Sequence, residues 1–290
     1  MSRTKKNKKL HRKTSKPKRK KGIKLYILLF FMIIISSLLA ITYVHTKTIT
    51  IHEHPIRLSN LPALNHGLKI VHFSDLHYGG SFSGDDINRL VTAINQTNPD
   101  LIVFTGDLIE RTVSRTEERL LIEGLNQLDP MIGTYAVLGE IDGQRALDIF
   151  EQTNITVLQN ELTRIYTNSP TPLFLYGVDF TNPDFEALVD AAETVRDHIV
   201  IVLTHHPDHF NKLNDLHVDL VLAGHSHNGQ INIPFFDLWN RIDRNIIYNR
   251  PFYQLDDTRL YTSAGIGTKY IPLRFGAPSS FNLYRLLASD

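Results

Sequence analysis

LKIVHFSDLH, residues 68–77, is an apolar, β-branched run that stops abruptly at Asp75-Leu76-His77. A short continuous apolar run of this kind predicts a buried strand at 68–74. In extended backbone, residues two apart point to the same side, so the spacing predicts that Asp75 and His77 face one place. The same arrangement recurs along the chain. LIVFT at 101–105 runs into Gly106-Asp107, and TYAVL at 134–138 into Gly139-Glu140-Ile141-Asp142. IVIVLT at 199–204 runs into His205-His206, and LVLA at 220–223 into Gly224-His225-Ser226-His227. Five apolar strands therefore each end in carboxylate or imidazole. In open α/β sheets the ligand site lies beyond the carboxyl ends of the strands.

Between these strands the periodicity changes. Ile87, Leu90, Val91 and Ile94 share one face of a helix predicted at 86–95, and further helices are expected at 115–128, 144–151 and 184–195. Additional strands are expected at 173–178, 259–263 and 281–286. The order predicts an α/β domain with helices on both faces of its sheets and a more β-rich second half.

The chain has 290 residues, 42% hydrophobic and 21% charged, with a formal net charge of +1. That balance hides an asymmetry. Residues 1–24 carry 13 of the 31 Lys and Arg and no acid, which leaves 18 basic residues against 30 acidic ones and a net charge of −12 thereafter. This excludes a basic nucleic-acid-binding domain, and no nucleic-acid partner is expected. With no cysteine, disulfides, thiolate zinc sites and thiol nucleophiles are also excluded.

LYILLFFMIIISSLLAITYV at 25–44 is uncharged and long enough to cross a bilayer. A cleaved signal peptide is the rival reading. The run exceeds a signal core, and no clean small-x-small site follows it, so an uncleaved anchor is preferred. The basic tail places the N-terminus in the cytoplasm and the folded domain outside it. The expected organisation is a basic tail at 1–24, an anchor at 25–44, a linker at 45–55 leading to an edge strand, and one domain at 56–290.

Clustered carboxylates repel one another unless cations lie between them. Oxygen and imidazole ligands without thiolate suit Mn, Fe, Zn or Mg, and two such ions can activate water and clamp phosphoryl oxygens.

On Asp75-x-His77, Gly106-Asp107, Thr204-His205 and Gly224-His225-Ser226-His227, the sequence resembles the calcineurin-like metallophosphoesterases. The likeness extends over roughly residues 56–287. HFSDLHYG, LIVFTGDL, LTHHPD, LVLAGHSHNGQI and the late stretch at 265–276 are similar to the bacterial membrane-associated branch that includes UDP-diacylglucosamine pyrophosphatase-like enzymes. The resemblance implies a four-layer α/β/β/α sandwich, two divalent metal ions and a phosphoester or pyrophosphate substrate, including a lipid-linked one. It also implies that Asp75, His77 and His227 hold the first metal, that Asp107 bridges, and that His205 and His225 bind the second. Bound hydroxide would then attack phosphorus. His206 is the alternative to His205, but the preceding Thr204 and following Pro207-Asp208 favour His205.

The third motif departs from the family's Gly-Asn-His. Glu140 replaces the Asn ligand and can still offer a metal an oxygen, whereas Ile141 replaces the His and transfers no proton. Asp107, Glu140, Asp142 and His206 are therefore the candidate catalytic residues, with Asp142 or His206 as substitute proton sources. The alternative function is a catalytically weak or inactive metal-dependent phosphoryl-binding protein at the cell surface. A structural coat module leaves the ordered acid and His endings unexplained.

Other features take plainer readings. His52-Glu53-His54 is read as solvated linker, His72 as a satisfied core histidine, and Asp179-Phe180 with Asn182-Pro183 as turn chemistry. Residues 234–239 (PFFDLW) and Phe252-Tyr253 either cap the core or form an apolar rim toward lipid. The net charge of −12 disfavours large polyanionic substrates unless the metals or local basic residues such as Arg241, Arg244 and Arg274 offset it.

Overall fold

The computed structural model describes residues 20–110, 113–213, 216–232 and 246–289. The tail to Arg19, the stretch at 234–239, Arg241 and Arg244 lie outside the described residues. The chain divides into two compact units, Met1–Ile41 and Thr42–Asp290. Helix α1 (Lys20–Lys47) begins in the first. It is long and apolar enough, by length and composition, to cross a membrane. Its large side chains, such as Phe30, Ile33 and Leu39, are exposed, unlike those of a core helix.

In the second unit the chain runs β1 (Thr50–Leu58), β2 (Lys69–Phe73), α2 (Asp86–Asn95), β3 (Leu101–Thr105), α3 (Arg115–Leu125), β4 (Gly133–Val137), α4 (Gln144–Phe150), β5 (Ile155–Val157), β6 (Glu161–Ile165) and β7 (Leu173–Gly177). There follow α5 (Phe185–Thr194), β8 (Val200–Thr204), β9 (Leu220–Ala223), β10 (Phe252–Leu255), β11 (Thr258–Thr262) and β12 (Ser280–Ala288). Two six-stranded sheets result, ordered β1-β12-β2-β3-β4-β5 and β10-β11-β9-β8-β7-β6. β2 through β5 are parallel, as are β7, β8, β9 and β11, so their carboxyl ends collect at common edges.

Strand alternation builds the layers. In β2, Ile70 faces a core shared with Val103, Leu175, Ile201, Leu203 and Leu222, which lies between the sheets. Its neighbours Val71 and Phe73 face the opposite way, under Ile87, Leu90, Leu121 and Ile149 of the helices. On the outer face of the second sheet, Val200, Val202 and Val221 meet Leu188 of α5 and Phe210. The architecture is thus α/β/β/α. Local signals start the helices: Ser114 and Glu117 form a reciprocal capping box on α3, and Asp184 accepts the Ala187 N–H on α5.

The segment expected as linker at 45–55 is structured. α1 continues to Lys47, and β1 starts at Thr50, pairing in parallel with β12 from Thr50↔Ser280 to Leu58↔Ala288. Its burial is sparse because backbone pairing holds this edge strand while His52 and Glu53 face solvent. His54 stacks on Tyr284 and bonds Asn282, so the His52-Glu53-His54 run is strand. Phe252 and Tyr253 lie on β10, packed against Tyr261 and Tyr248. Asp179 accepts the N–H groups of Thr181 and Asn182, a side-chain turn as expected.

Candidate metal centre

The side chains that end β2, β3, β8 and β9 converge, but not through strand alternation. β2 stops at Phe73, and Asp75, His77, Asp107, His225 and His227 all adopt left-handed backbone, with φ of 50°, 42°, 61°, 64° and 48°. Sharp left-handed turns aim these side chains inward, at a cost of about 1–3 kcal/mol each for residues that carry a Cβ. Space is equally constrained. Gly106 has φ +90°, and a Cβ at Gly139 would meet Asp107 Oδ1 at 2.3 Å and the Asp107 backbone N at 2.6 Å.

Among the described residues three groups of potential ligand atoms form, each with its members within 4.8 Å of one another: Asp75, His77 and His227; Glu140, His205 and His225; and Asp75, Asp107 and His205. Asp107 Oδ2 lies 3.5 Å from His77 Nε2 and 3.5 Å from His205 Nε2. His227 Nε2 lies 3.5 Å from Asp75 Oδ1. These separations are too long for good hydrogen bonds. They match the roughly 3–3.5 Å between neighbouring ligands on an ion with bonds of about 2.0–2.2 Å. Asp107 Oδ2 and His77 Nε2 are buried and have no hydrogen-bond partner among the described residues. Burying such atoms is costly unless something compensates them, and the all-O/N donor set suits a divalent cation.

Outer contacts fix the imidazoles. His77 Nδ1 is 2.9 Å from Glu110 Oε1, and His205 Nδ1 donates to the Thr105 carbonyl at 2.6 Å, which leaves His205 Nε2 directed at Asp107. Thr105 is held in turn by His72, whose two nitrogens meet Thr105 Oγ1 at 2.8 Å and Tyr284 Oη at 3.1 Å, the satisfied core histidine expected. Both Asp75 oxygens accept the His225 N–H at 3.1 Å. Burial and Arg274 push His227 well below the ordinary imidazole range. Burial opposes a charge on His205, but the Asp107 and Glu140 carboxylates push it well above that range.

The third motif folds as a clasp. Asp142 accepts the N–H groups of Asp107 (2.8 Å) and Gly139 (2.9 Å) through Oδ2 and that of Leu108 (2.8 Å) through Oδ1, while Ile141 N–H donates to Asp107 Oδ1 at 3.1 Å. Burial and Asp107 push Asp142 up to about 6. With both oxygens engaged by backbone, Asp142 positions Asp107, and the expectation of a proton source there gives way to that role. His206 caps the 3-10 turn Pro207–Lys212 by accepting the Asp208 N–H, outside all three ligand groups, with its ring 4.6 Å from that of His225. Burial and His225 lower it to about 3, which leaves it neutral. His205, not His206, enters the cluster.

Glu140 reaches the centre with Oε2 beside His225 Nδ1 and 3.7 Å from His205 Nε2, while Oε1 meets the Lys269 ammonium. Burial resists its charge, but His205, His225 and Lys269 hold its carboxyl well below the usual range. Lys269, Glu110 and the ring of Phe180, edge-on to His205 at 5.6 Å, are site residues that the strand-end pattern did not single out. Lys269 stands next to the glycine-rich 265–267 turn, a lone base before the exposed apolar run at 270–273, which was its only sequence signal. Arg274 is fully buried. It donates to the Gly267 and Ala277 carbonyls and contacts His227 Nδ1 at 3.1 Å, so it supports the site and does not offset a polyanion.

Residues 68–229 match the calcineurin-like phosphoesterase family. The chain is 30% identical over 257 residues to the uncharacterized metallophosphoesterase YkuE of Bacillus subtilis (strain 168), covering 86% of this chain and 89% of that protein. It is 28% identical over 288 residues to the UDP-2,3-diacylglucosamine pyrophosphatase LpxG of Chlamydia trachomatis serovar D, covering 79% and 87%. It is also 28% identical over 243 residues to a transmembrane protein with metallophosphoesterase domain of Danio rerio, covering 77% and 54%. The chain belongs to the calcineurin-like phosphoesterase family.

Proposed function

We propose that this chain is a membrane-anchored, dimetal-dependent phosphoester hydrolase. Asp75, His77 and His227 would hold one divalent ion and Glu140, His205 and His225 the other, with Asp107 between them. The observation that carries the reading is Asp107 Oδ2, buried, without a hydrogen-bond partner among the described residues, and equidistant from two imidazole Nε2 atoms. When bound, such ions supply Lewis acidity toward phosphoryl oxygens and activate water. The protein's own contribution is positional. Glu110 and the Thr105 carbonyl orient His77 and His205, Asp142 and the Ile141 N–H hold Asp107, and Lys269 steadies Glu140.

Ile141 brings no proton donor to the leaving group. Substrates whose leaving groups depart without protonation, aryl or pyrophosphate esters, are therefore favoured over alkyl monoesters. The LpxG name supports a lipid-linked pyrophosphate among these. The basic residues before the apolar helix support a cytoplasmic N-terminus and an extracytoplasmic catalytic domain. The loss of a donor at Ile141 also favours a second reading, a metal-dependent phosphoryl binder with little turnover.

Elemental analysis of the full-length protein, paired with hydrolysis of bis-(p-nitrophenyl) phosphate before and after chelation, tests the assignment. Two divalent ions per chain and chelator-sensitive turnover are expected, both lost in Asp107→Asn. Two bound ions with no turnover on any aryl ester would select the binder, and no bound metal would overturn both readings.

A further inference from the structure

Residues 270–273, Tyr-Ile-Pro-Leu, form an apolar tip between two buried bases. Tyr270 is 67% exposed, Ile271 36% and Leu273 38%, whereas Lys269 and Arg274 on either side are buried. The tip is firmly built. Fully buried Gln230 accepts the Lys269 N–H at 2.8 Å and donates to the carbonyls of Lys269, Ile271 and Leu273. Tyr270 is also held at φ +60°. A backbone pinned this closely presents its apolar side chains outward as a fixed feature.

The location of the tip is the second observation. Arg274 N–H donates to Thr46 Oγ1 at 2.9 Å, Gly276 N–H to His45 Nδ1 at 3.2 Å, and Ser279 to the carbonyls of His45 and Thr46. Lys47 Nζ bonds the Ser81 carbonyl at 2.7 Å, and Ser81 Oγ accepts from Thr268. His45 and Thr46 directly follow the apolar run at 25–44. If that run spans a bilayer, covalent continuity holds these residues at its surface, and the 268–279 segment bonded to them lies there too. The loop also joins the centre at both ends, through Lys269 to Glu140 and through Arg274 to His227.

We propose that the 270–273 tip is an interfacial wedge. Tyr270, Ile271, Pro272 and Leu273 enter the headgroup region of the bilayer crossed by α1, and they hold the candidate metal centre within reach of phosphoryl groups carried by lipids of that same bilayer. Tyrosine with aliphatic neighbours suits this depth. The net charge of −12 after residue 24 gives the domain no general attraction to anionic lipid, so beyond the tether of α1 an apolar contact suits docking better than a charged one. The proposal rests on the membrane-anchored reading, and its test separates the two.

Because the chain has no cysteine, single cysteines can be labelled cleanly. Full-length Ile271→Cys, Met131→Cys and Ile33→Cys variants, each carrying an environment-sensitive fluorophore, are reconstituted in phosphatidylcholine vesicles with a minor fraction of phosphatidylglycerol. Nitroxide lipids then report depth. Met131 is 79% exposed and precedes β4, at the end of the sheet away from the site, which makes it the solvent control. Headgroup nitroxide should quench the probe at 271 but not at 131, and mid-chain nitroxide should quench the probe at 33. A quenched 33 with 271 no different from 131 keeps the anchor and overturns the wedge; an unquenched 33 overturns both.

A second measurement reads function. Ile271→Ser/Leu273→Ser should lower turnover of a vesicle-borne lipid pyrophosphate by about tenfold while leaving that of a soluble aryl ester within about twofold. An equal loss on both substrates would overturn the wedge.

Discussion

Lys269→Met isolates the feature by which this centre departs most from its family. Glu140 brings a full negative charge where the family pattern has a neutral Asn, and the Lys269 ammonium meets it with 9% of the lysine side chain and 21% of the glutamate side chain exposed. Removing one partner of a buried pair costs about 3–5 kcal/mol, because the remaining charge stays desolvated. Glu140 is one-fifth open to water and keeps His225, so the expected loss is about 2–3 kcal/mol in metal-depleted protein. At this chain length that corresponds to a fall in Tm of roughly 5–10 °C. Thermal unfolding of the full-length protein with chelator measures it. Two controls make the prediction specific. Glu140→Gln in the Lys269→Met background should recover most of the loss, since no charge is then left unpaired. Saturating divalent metal should shrink the loss below about 1 kcal/mol, because the ion replaces the ammonium as the counter-charge. A Lys269→Met penalty that is the same with Glu or Gln at position 140 would refute the pairing, and a penalty indifferent to metal would refute the placement of Glu140 on an ion.

Ile141→His should raise turnover of alkyl phosphoesters by about 10²–10⁴ while changing aryl esters little; equal change across a leaving-group series would contradict the role assigned to this position. Asp142→Ala leaves the N–H groups of Asp107, Leu108 and Gly139 without their acceptor, at about 1–3 kcal/mol each, and a urea midpoint unchanged from the parent would exclude the clasp. Gly139→Ala drives a Cβ into Asp107, so metal content by elemental analysis should fall below that of the parent. Burial depresses His72 from 6.5 to about 3, so the folded chain keeps it neutral while the unfolded chain takes up a proton below pH 6.5. Its contribution is intact above 6.5 and declines as the pH falls toward 3, by up to about 1.4 kcal/mol per unit. Urea titrations of His72→Asn should therefore show a pH slope shallower by about one proton in that window.

The ligand candidates were legible because each ends a short apolar run, and a run of that kind has few alternatives to a buried strand. Asp75, His77, Asp107, His205, His225 and His227 were singled out as candidates this way, whereas the preference for His205 over His206 came from the flanking Thr204 and Pro207-Asp208 and not from the strand end they share. Glu140 was legible as a substitution within a pattern. Its partner was not, since Lys269 lies 129 residues away and only the fold brings the two together. Asp142 illustrates a different limit. Composition marks it as an acid near the site, but whether a carboxylate faces substrate or backbone depends on loop conformation. The missed elements share one cause. β1, β5, β6 and β10 are short or sparsely buried edge segments, held by backbone pairing that leaves little trace in hydrophobic pattern.

The strain at the ligand positions bears on whether the centre still gathers metal. Five side chains that could hold an ion sit on left-handed backbone, and each costs about 1–3 kcal/mol that a glycine would largely avoid. Asp107 Oδ2 and His77 Nε2 add buried atoms that no hydrogen bond compensates. A fold that had stopped binding metal would gain stability by relaxing almost any of these features, and substitution of one residue at a time would suffice. Here all five are present, together with the glycines that make room for them and the backbone clasp that fixes Asp107. The departure in the third motif is itself balanced, with Lys269 offsetting the charge that Glu140 introduces. That balance is what an altered but occupied centre requires. On the proposed reading, the consequence of Ile141 then falls on the leaving group and not on the ions.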